Sequence, residues 1–168
     1  MKKLAHVAAA LFIAATVLAG CSSRPLIRED SILASEAKVG AVNVKLDEVA
    51  VPKHRHAQFH EYHVDDLVKA KLVELLTGAG KYADGGALTL DVTITDYHLR
   101  ESGEALMLGA FAPDDKIRLV GQLKQGDKVV SSAESYASTS AGGWMNPAET
   151  DRLGIIIPNA AKRLIQEL

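Results

Sequence analysis

The chain changes its rhythm of apolar and polar positions several times, and each change marks an element. Val42, Val44 and Leu46 alternate with Asn43 and Lys45, and Val49 and Val51 resume the alternation out of phase before Pro52. A period of two with one slipped residue predicts a strand carrying a bulge. Val64, Leu67, Val68, Leu72, Leu75 and Leu76 then keep the three-and-four spacing of a helix that buries one side. Asp65 and Asp66 fall in its first turn, where carboxylates complement the helix dipole, and Thr77-Gly78-Ala79-Gly80 ends it. Leu88, Leu90, Val92 and Ile94 alternate strictly with Thr89, Asp91, Thr93 and Thr95. This predicts a strand running towards Leu99, one face dry and the other wet. Ile117, Leu119, Gly121 and Leu123 predict a third strand and the run from Lys128 to Ser138 a fourth, joined through Gln125-Gly126-Asp127 as a tight hairpin.

In the last stretch, Asn146 is placed to cap a helix and Pro147 to open it, with Glu149 in its first turn. Leu153, Ile156, Ile157, Ala160, Ala161, Leu164 and Leu168 form its apolar face. Pro158 lies inside, and an interior proline predicts a kink or a break just before it. The resulting order, β-α-β-β-β-α, predicts an α+β domain: a small mixed sheet of about four strands with two helices on one face. Its first strand, helix and second strand are set for a right-handed parallel crossover.

Ahead of this domain, Lys2 and Lys3 precede an uncharged run from Leu4 to Leu18, and small residues lead to the chain's single cysteine, Cys21. A basic start, an apolar run and small residues form a secretory signal. The run is slightly shorter than the roughly 20 apolar residues that span a bilayer, which argues against an uncleaved anchor. Leu18-Ala19-Gly20-Cys21 resembles the lipobox of the bacterial lipoproteins. The resemblance implies that residues 1–20 are removed, that Cys21 becomes a lipidated N-terminus, and that the chain is held to a membrane by acyl chains. Ser22, where that family carries aspartate for inner-membrane retention, implies the outer membrane, with the domain facing the periplasm.

Loss of the signal leaves 17 basic against 21 acidic residues, 17 minus 21 giving −4, because Lys2 and Lys3 go with it. A mildly acidic chain without a basic cluster excludes nucleic acid as a partner, since that affinity rests on neutralising phosphates. The remaining length suits one domain. With Cys21 acylated no disulfide is available, so the core must carry the stability. Residues 21–38 read as the lipidated N-terminus and a short tether, and residues 39–168 as a single α+β domain. At the level of architecture the element order is similar to the anticodon-binding-like domains of small envelope lipoproteins, among them the penicillin-binding-protein activators and the curli secretion lipoprotein. No binding site carries over from that likeness.

Little in the sequence points to chemistry. His54, His56, His60 and His63 cluster before the first helix, and imidazoles at such spacing can hold zinc or copper. The same segment carries Lys53, Arg55 and Glu61, so a solvated polar approach explains the histidines as well. His60-Glu61-Tyr62-His63 is one residue short of the zinc-protease spacing. Gly78-Ala79-Gly80-Lys81 follows a helix instead of preceding one, which makes it a helix cap and not a phosphate loop. No nucleophile elbow surrounds the serines between Ser131 and Ser140. A non-enzymatic accessory or scaffold protein without cofactor, binding another envelope protein, is the expectation; a periplasmic metal-handling protein using the histidine segment is the alternative. One contact surface is suggested, because Ala105-Leu106-Met107-Leu108-Gly109-Ala110-Phe111-Ala112 is apolar without alternating. Such a segment either folds onto the core or presents a patch, and Met107 and Phe111 are its natural anchors.

Overall fold

Four strands and their covering helices account for most of the described residues, 26–101, 114–139 and 148–168 of a computed structural model. Strands β1 (Val39–Leu46), β2 (Leu88–His98), β3 (Asp115–Gln125) and β4 (Lys128–Thr139) lie in the order β1-β2-β3-β4. The β1/β2 pair is parallel and the other two are antiparallel, so the sheet is small and mixed and the fold is α+β as the sequence predicts. Helix α1 (His56–Glu61) leads into α2 (Val64–Gly78), and α3 (Glu149–Glu167) follows β4. Helix α2 packs on β1, α3 packs on β3 and β4, and the two touch each other, so they share one face of the sheet.

The strict alternation of β2 and β3 becomes a two-sided sheet. Leu88, Leu90, Val92 and Ile94 of β2 and Ile117, Leu119 and Leu123 of β3 are buried against Val68, Leu72 and Leu76 of α2 and Ile156, Ala160 and Leu164 of α3. On the opposite face polar and charged residues pair across strands: Lys124 donates to Asp91 at 2.7 Å, Asn43 to Asp91 at 2.8 Å and Lys116 to Asp96 at 2.7 Å. Arg118 bridges Glu134 and lies 5.3 Å over the Tyr136 ring. Gly121 faces α3 where a Cβ would meet Leu164 at 3.0 Å, so its missing side chain lets helix and sheet approach closely. Closer still is the contact of Gly40 with Gly86, where a Cβ on Gly40 would stand 2.4 Å from the Gly86 carbonyl oxygen.

Four local expectations need correction. Strand β1 ends at Leu46 and Val49 is not in it: the Asp47 carboxylate accepts the backbone N–H groups of Val49 and Ala50 at 3.0 Å, making a turn that leaves Val49 97% exposed while Val51 is buried. The slipped phase therefore marks an aspartate-stabilised turn, and the irregularity of β1 lies between Val39 and Ala41 instead. Helix α3 begins at Glu149 after Ala148, which offers no side-chain cap; Asn146 and Pro147 lie outside the described residues. Pro158 does not break α3. Proline deprives the carbonyl four residues back of its partner, and here that residue is Gly154, exposed and with no neighbour near its missing Cβ. Water can serve that carbonyl.

The fourth correction concerns the segment read as a tether. Its described part lies on the domain: Leu33 is fully buried in a 3-10 turn (Ile32–Ala34), and Leu26, Ile27 and Ile32 pack against the core. Arg28 faces Glu167 at 3.8 Å and Lys81 donates to the Ser35 carbonyl at 2.8 Å. This segment thus sits where α2 and α3 finish. Helix α2 closes there with Gly80 at φ 68°, Lys81 donating to the Leu76 carbonyl at 2.8 Å and Gly80 to that of Thr77 at 2.9 Å, the paired bonds of a Schellman cap.

Candidate functional site

The opposite end of the domain holds a cluster of charges without solvent. Arg100 lies two residues past the end of β2, Asp115 opens β3 and Arg152 lies in the first turn of α3, and all three are at most 1% exposed. Asp115 accepts the Arg100 backbone N–H at 2.7 Å, its Nη2 at 2.8 Å and its Nε at 3.3 Å. Arg152 stands 3.6 Å from the same carboxylate and donates through Nη2 to the Arg100 carbonyl at 2.6 Å. Arg55 donates to the Leu99 carbonyl at 3.0 Å, and Glu149 lies 3.6 Å from Arg152. The geometry is that of a clasp: one carboxylate holds the end of β2, the start of β3 and the start of α3 together. Its hydrogen bonds raise the Arg100 guanidinium above its ordinary pKa, with Asp115 as the main cause.

Beside the clasp, Tyr97 is buried edge-on to Phe59, ring centres 5.4 Å apart. Burial pushes its phenol well above the ordinary tyrosine range. Tyr62 is raised too, by burial and then by Glu149 and Glu61. Both phenols therefore stay protonated near neutral pH. Residues 101 and 114, the ends of the stretch containing Met107 and Phe111, both lie at this clasp; Met107, Phe111 and the lipobox with Cys21 lie outside the described residues.

The four histidines separate by task. His54 is exposed in a 3-10 turn (Lys53–Arg55), and His56 opens α1 with Nε2 donating to the Val51 carbonyl at 2.8 Å. His60 is exposed, its ring against the edge of Phe59. His63 turns the chain from α1 into α2 in the left-handed region at φ 48°, 3.9 Å from Asp66. Among the described residues no three histidine, cysteine or acidic side chains are grouped so as to hold a metal ion. His56 spends its ring N–H on the backbone, which fixes the turn into α1.

Between α2 and α3 runs an apolar groove of about 370 Å³, floored by Leu67, Ala70, Leu153, Ile157 and Pro158 and overhung by Tyr62. Leu67, predicted as core, is 43% exposed there. A polar cleft of about 680 Å³ follows β4, between Ser132, Glu134, Ser135 and Tyr136 on the strand and Arg163, Gln166 and Glu167 on α3. No described helix is long and apolar enough to cross a membrane.

Sequence reasoning missed the clasp. One signal was present: Arg152 sits four residues before Ile156 on the apolar stripe of α3, where a charged residue must either snorkel out or find a buried partner.

No protein-family model matches the chain, and no curated protein does. Among solved structures it is similar to a DUF330-family protein from Xanthomonas campestris at 12% identity and a TM-score of 0.53, over 77% of this chain and 81% of that one. A PelC dodecamer from Paraburkholderia phytofirmans aligns at 10% identity and a TM-score of 0.46, over 79% and 89%. At these identities the first likeness speaks for the fold alone.

Proposed function

We propose that the protein is a lipoprotein of the outer membrane, anchored through Cys21 and facing the periplasm, that acts as a non-enzymatic accessory or scaffold for another envelope protein. The observation that carries this reading is the Leu18-Ala19-Gly20-Cys21 sequence standing just ahead of a segment packed on the domain. The five residue-to-residue steps from Cys21 to Leu26 span at most about 18 Å when fully extended. The end of the domain where α2 and α3 finish is therefore held near the lipid. Helix α3, with 19 residues, is about 28 Å long, and the clasp lies at its far end. That end faces away from the lipid, and residues 101 and 114, which flank the segment carrying Met107 and Phe111 as anchors, lie there.

Mass spectrometry of the protein purified from membranes tests the anchor: the expected mature chain begins at Cys21 and carries acyl mass, and an intact signal or a bare Cys21 rejects it. Affinity capture from cross-linked envelopes tests the partner. Serine at both Met107 and Phe111 should abolish capture while leaving the melting temperature unchanged. Capture that survives the double substitution removes the segment from the interface.

A further inference from the structure

Strand β4 is an edge of the sheet, 12 residues long, without proline. Residues 133, 135 and 137 turn their side chains towards α3, while Ser132, Glu134, Tyr136 and Ser138 lie on the other face. Arg163 donates to the Tyr136 carbonyl at 2.7 Å from outside the sheet. By the alternation of an antiparallel ladder, the main-chain groups of Ser132, Glu134, Tyr136 and Ser138 point away from β3. Arg163 covers one carbonyl of that row. A long edge with its donors and acceptors turned outward is a template for another strand.

A second observation lies in the cleft beside this edge. Ser135 is 5% exposed, and its hydroxyl is buried without a hydrogen-bond partner. A buried hydroxyl left unpaired has lost its water and gained nothing in return, so a partner that supplies an acceptor there is favoured.

We propose that β4 pairs with β4 of a second copy of this chain, antiparallel about a two-fold axis, joining the two sheets into one. The residues select both the occupant and the register. If the axis passed through Glu134, its carboxylate would face its own copy, and like charges directly opposite destabilise a pair. Shifting the axis to Ser135 sets Glu134 opposite Tyr136 of the second copy and Ser132 opposite Ser138. All four are residues with outward main-chain groups, so these become hydrogen-bonded pairs. Each Tyr136 already carries Arg118 over its ring, so Glu134 of the other copy arrives next to a cation. Ser135 then faces Ser135 in a narrow pair without ladder hydrogen bonds, and each hydroxyl gains the other as its partner. The Tyr136 carbonyl has two lone pairs and can accept a strand N–H while keeping Arg163.

A narrow pair brings its Cα atoms to about 4.5 Å, within the reach of a disulfide. The test is therefore Ser135→Cys in the full chain, extracted in detergent and mildly oxidised, with Ser132→Cys and the unsubstituted protein alongside. A disulfide-linked dimer of the Ser135→Cys protein, absent from both controls, supports the register, because position 132 meets position 138 and not itself. Equal cross-linking at 132 and 135, or none at 135, overturns it. Tyr136→Pro removes an outward N–H, which an edge strand tolerates, together with the ring that Arg118 covers; by sedimentation it should convert the dimer to monomer with an unchanged circular dichroism spectrum. A dimer that survives Tyr136→Pro also overturns the proposal.

Discussion

Replacing Asp115 by Asn tests the clasp with almost no change of shape. The carboxylate accepts two guanidinium donors and one backbone N–H from Arg100, and stands 3.6 Å from Arg152. Asparagine keeps an oxygen for the Arg100 backbone N–H but presents an amide donor to Arg100 Nη2, and it takes away the carboxylate shared by two guanidiniums at most 1% exposed, leaving Arg152 only Glu149 at 3.6 Å. Removing one member of a buried ion pair costs about 3–5 kcal/mol. At roughly 3–5 °C per kcal/mol for a domain of this size, the melting temperature should fall by about 10–20 °C. Urea titration gives the free energy directly, and an unchanged slope confirms that the folded state is still compact. The mechanism makes a sharper demand of a double substitution: adding Arg152→Met should cost less in the Asp115→Asn background than in the native one, because the second guanidinium is then a liability. A loss below about 1 kcal/mol for Asp115→Asn, or strict additivity with Arg152→Met, would refute the account of the cluster as a mutually dependent clasp.

Other substitutions check the remaining packing. Gly40→Ala should destabilise far more than Gly121→Ala, since the first drives a Cβ into backbone at 2.4 Å and the second meets the movable end of Leu164 at 3.0 Å; overpacking costs about 1–3 kcal/mol, and thermal melts should place the two at opposite ends of that range. His63→Gly should raise the melting temperature by relieving a left-handed residue worth about 1 kcal/mol. His56→Ala should lower stability by about 1 kcal/mol through the lost bond to Val51, and calorimetric titration of the native protein with zinc should show no micromolar site. The Asp91 carboxyl is held below its ordinary pKa by Lys124 and then Asn43. Its contribution is therefore fully present above the unfolded value near ~4 and lost as pH falls through the folded one. An acid titration of stability should show a shallower decline in Lys124→Met.

The sheet was legible because strands β2 and β3 bury one face only, so each residue's side is written in its hydropathy. Helix α2 was legible for the same reason, except at Leu67, which the periodicity assigned to the core and which borders the groove. Val49 was misread because alternation cannot distinguish a slipped strand from a turn closed by the Asp47 side chain. The tether was misread because Leu33 is a single buried anchor, and one residue has no period. The clasp was hidden for a different reason: Arg152 meets the Arg100 carbonyl across 52 positions of sequence, and no local pattern pairs residues so far apart. Buried charges follow from topology, which emerges only once the strands are in register.

The order of the elements also bears on how the chain reaches its folded state. The apolar face of β3 and β4 is covered by α3, which comes after both of them in the chain. Until α3 arrives, Ile117, Leu119 and Leu123 lack the cover of Ile156, Ala160 and Leu164, and β4 offers an open edge beside them. A chain crossing a membrane N-terminus first would therefore deliver its sheet before its cover. The sheet cannot close cooperatively during that interval, and a holding chaperone on the far side would compete with α3 itself for the same strip of side chains.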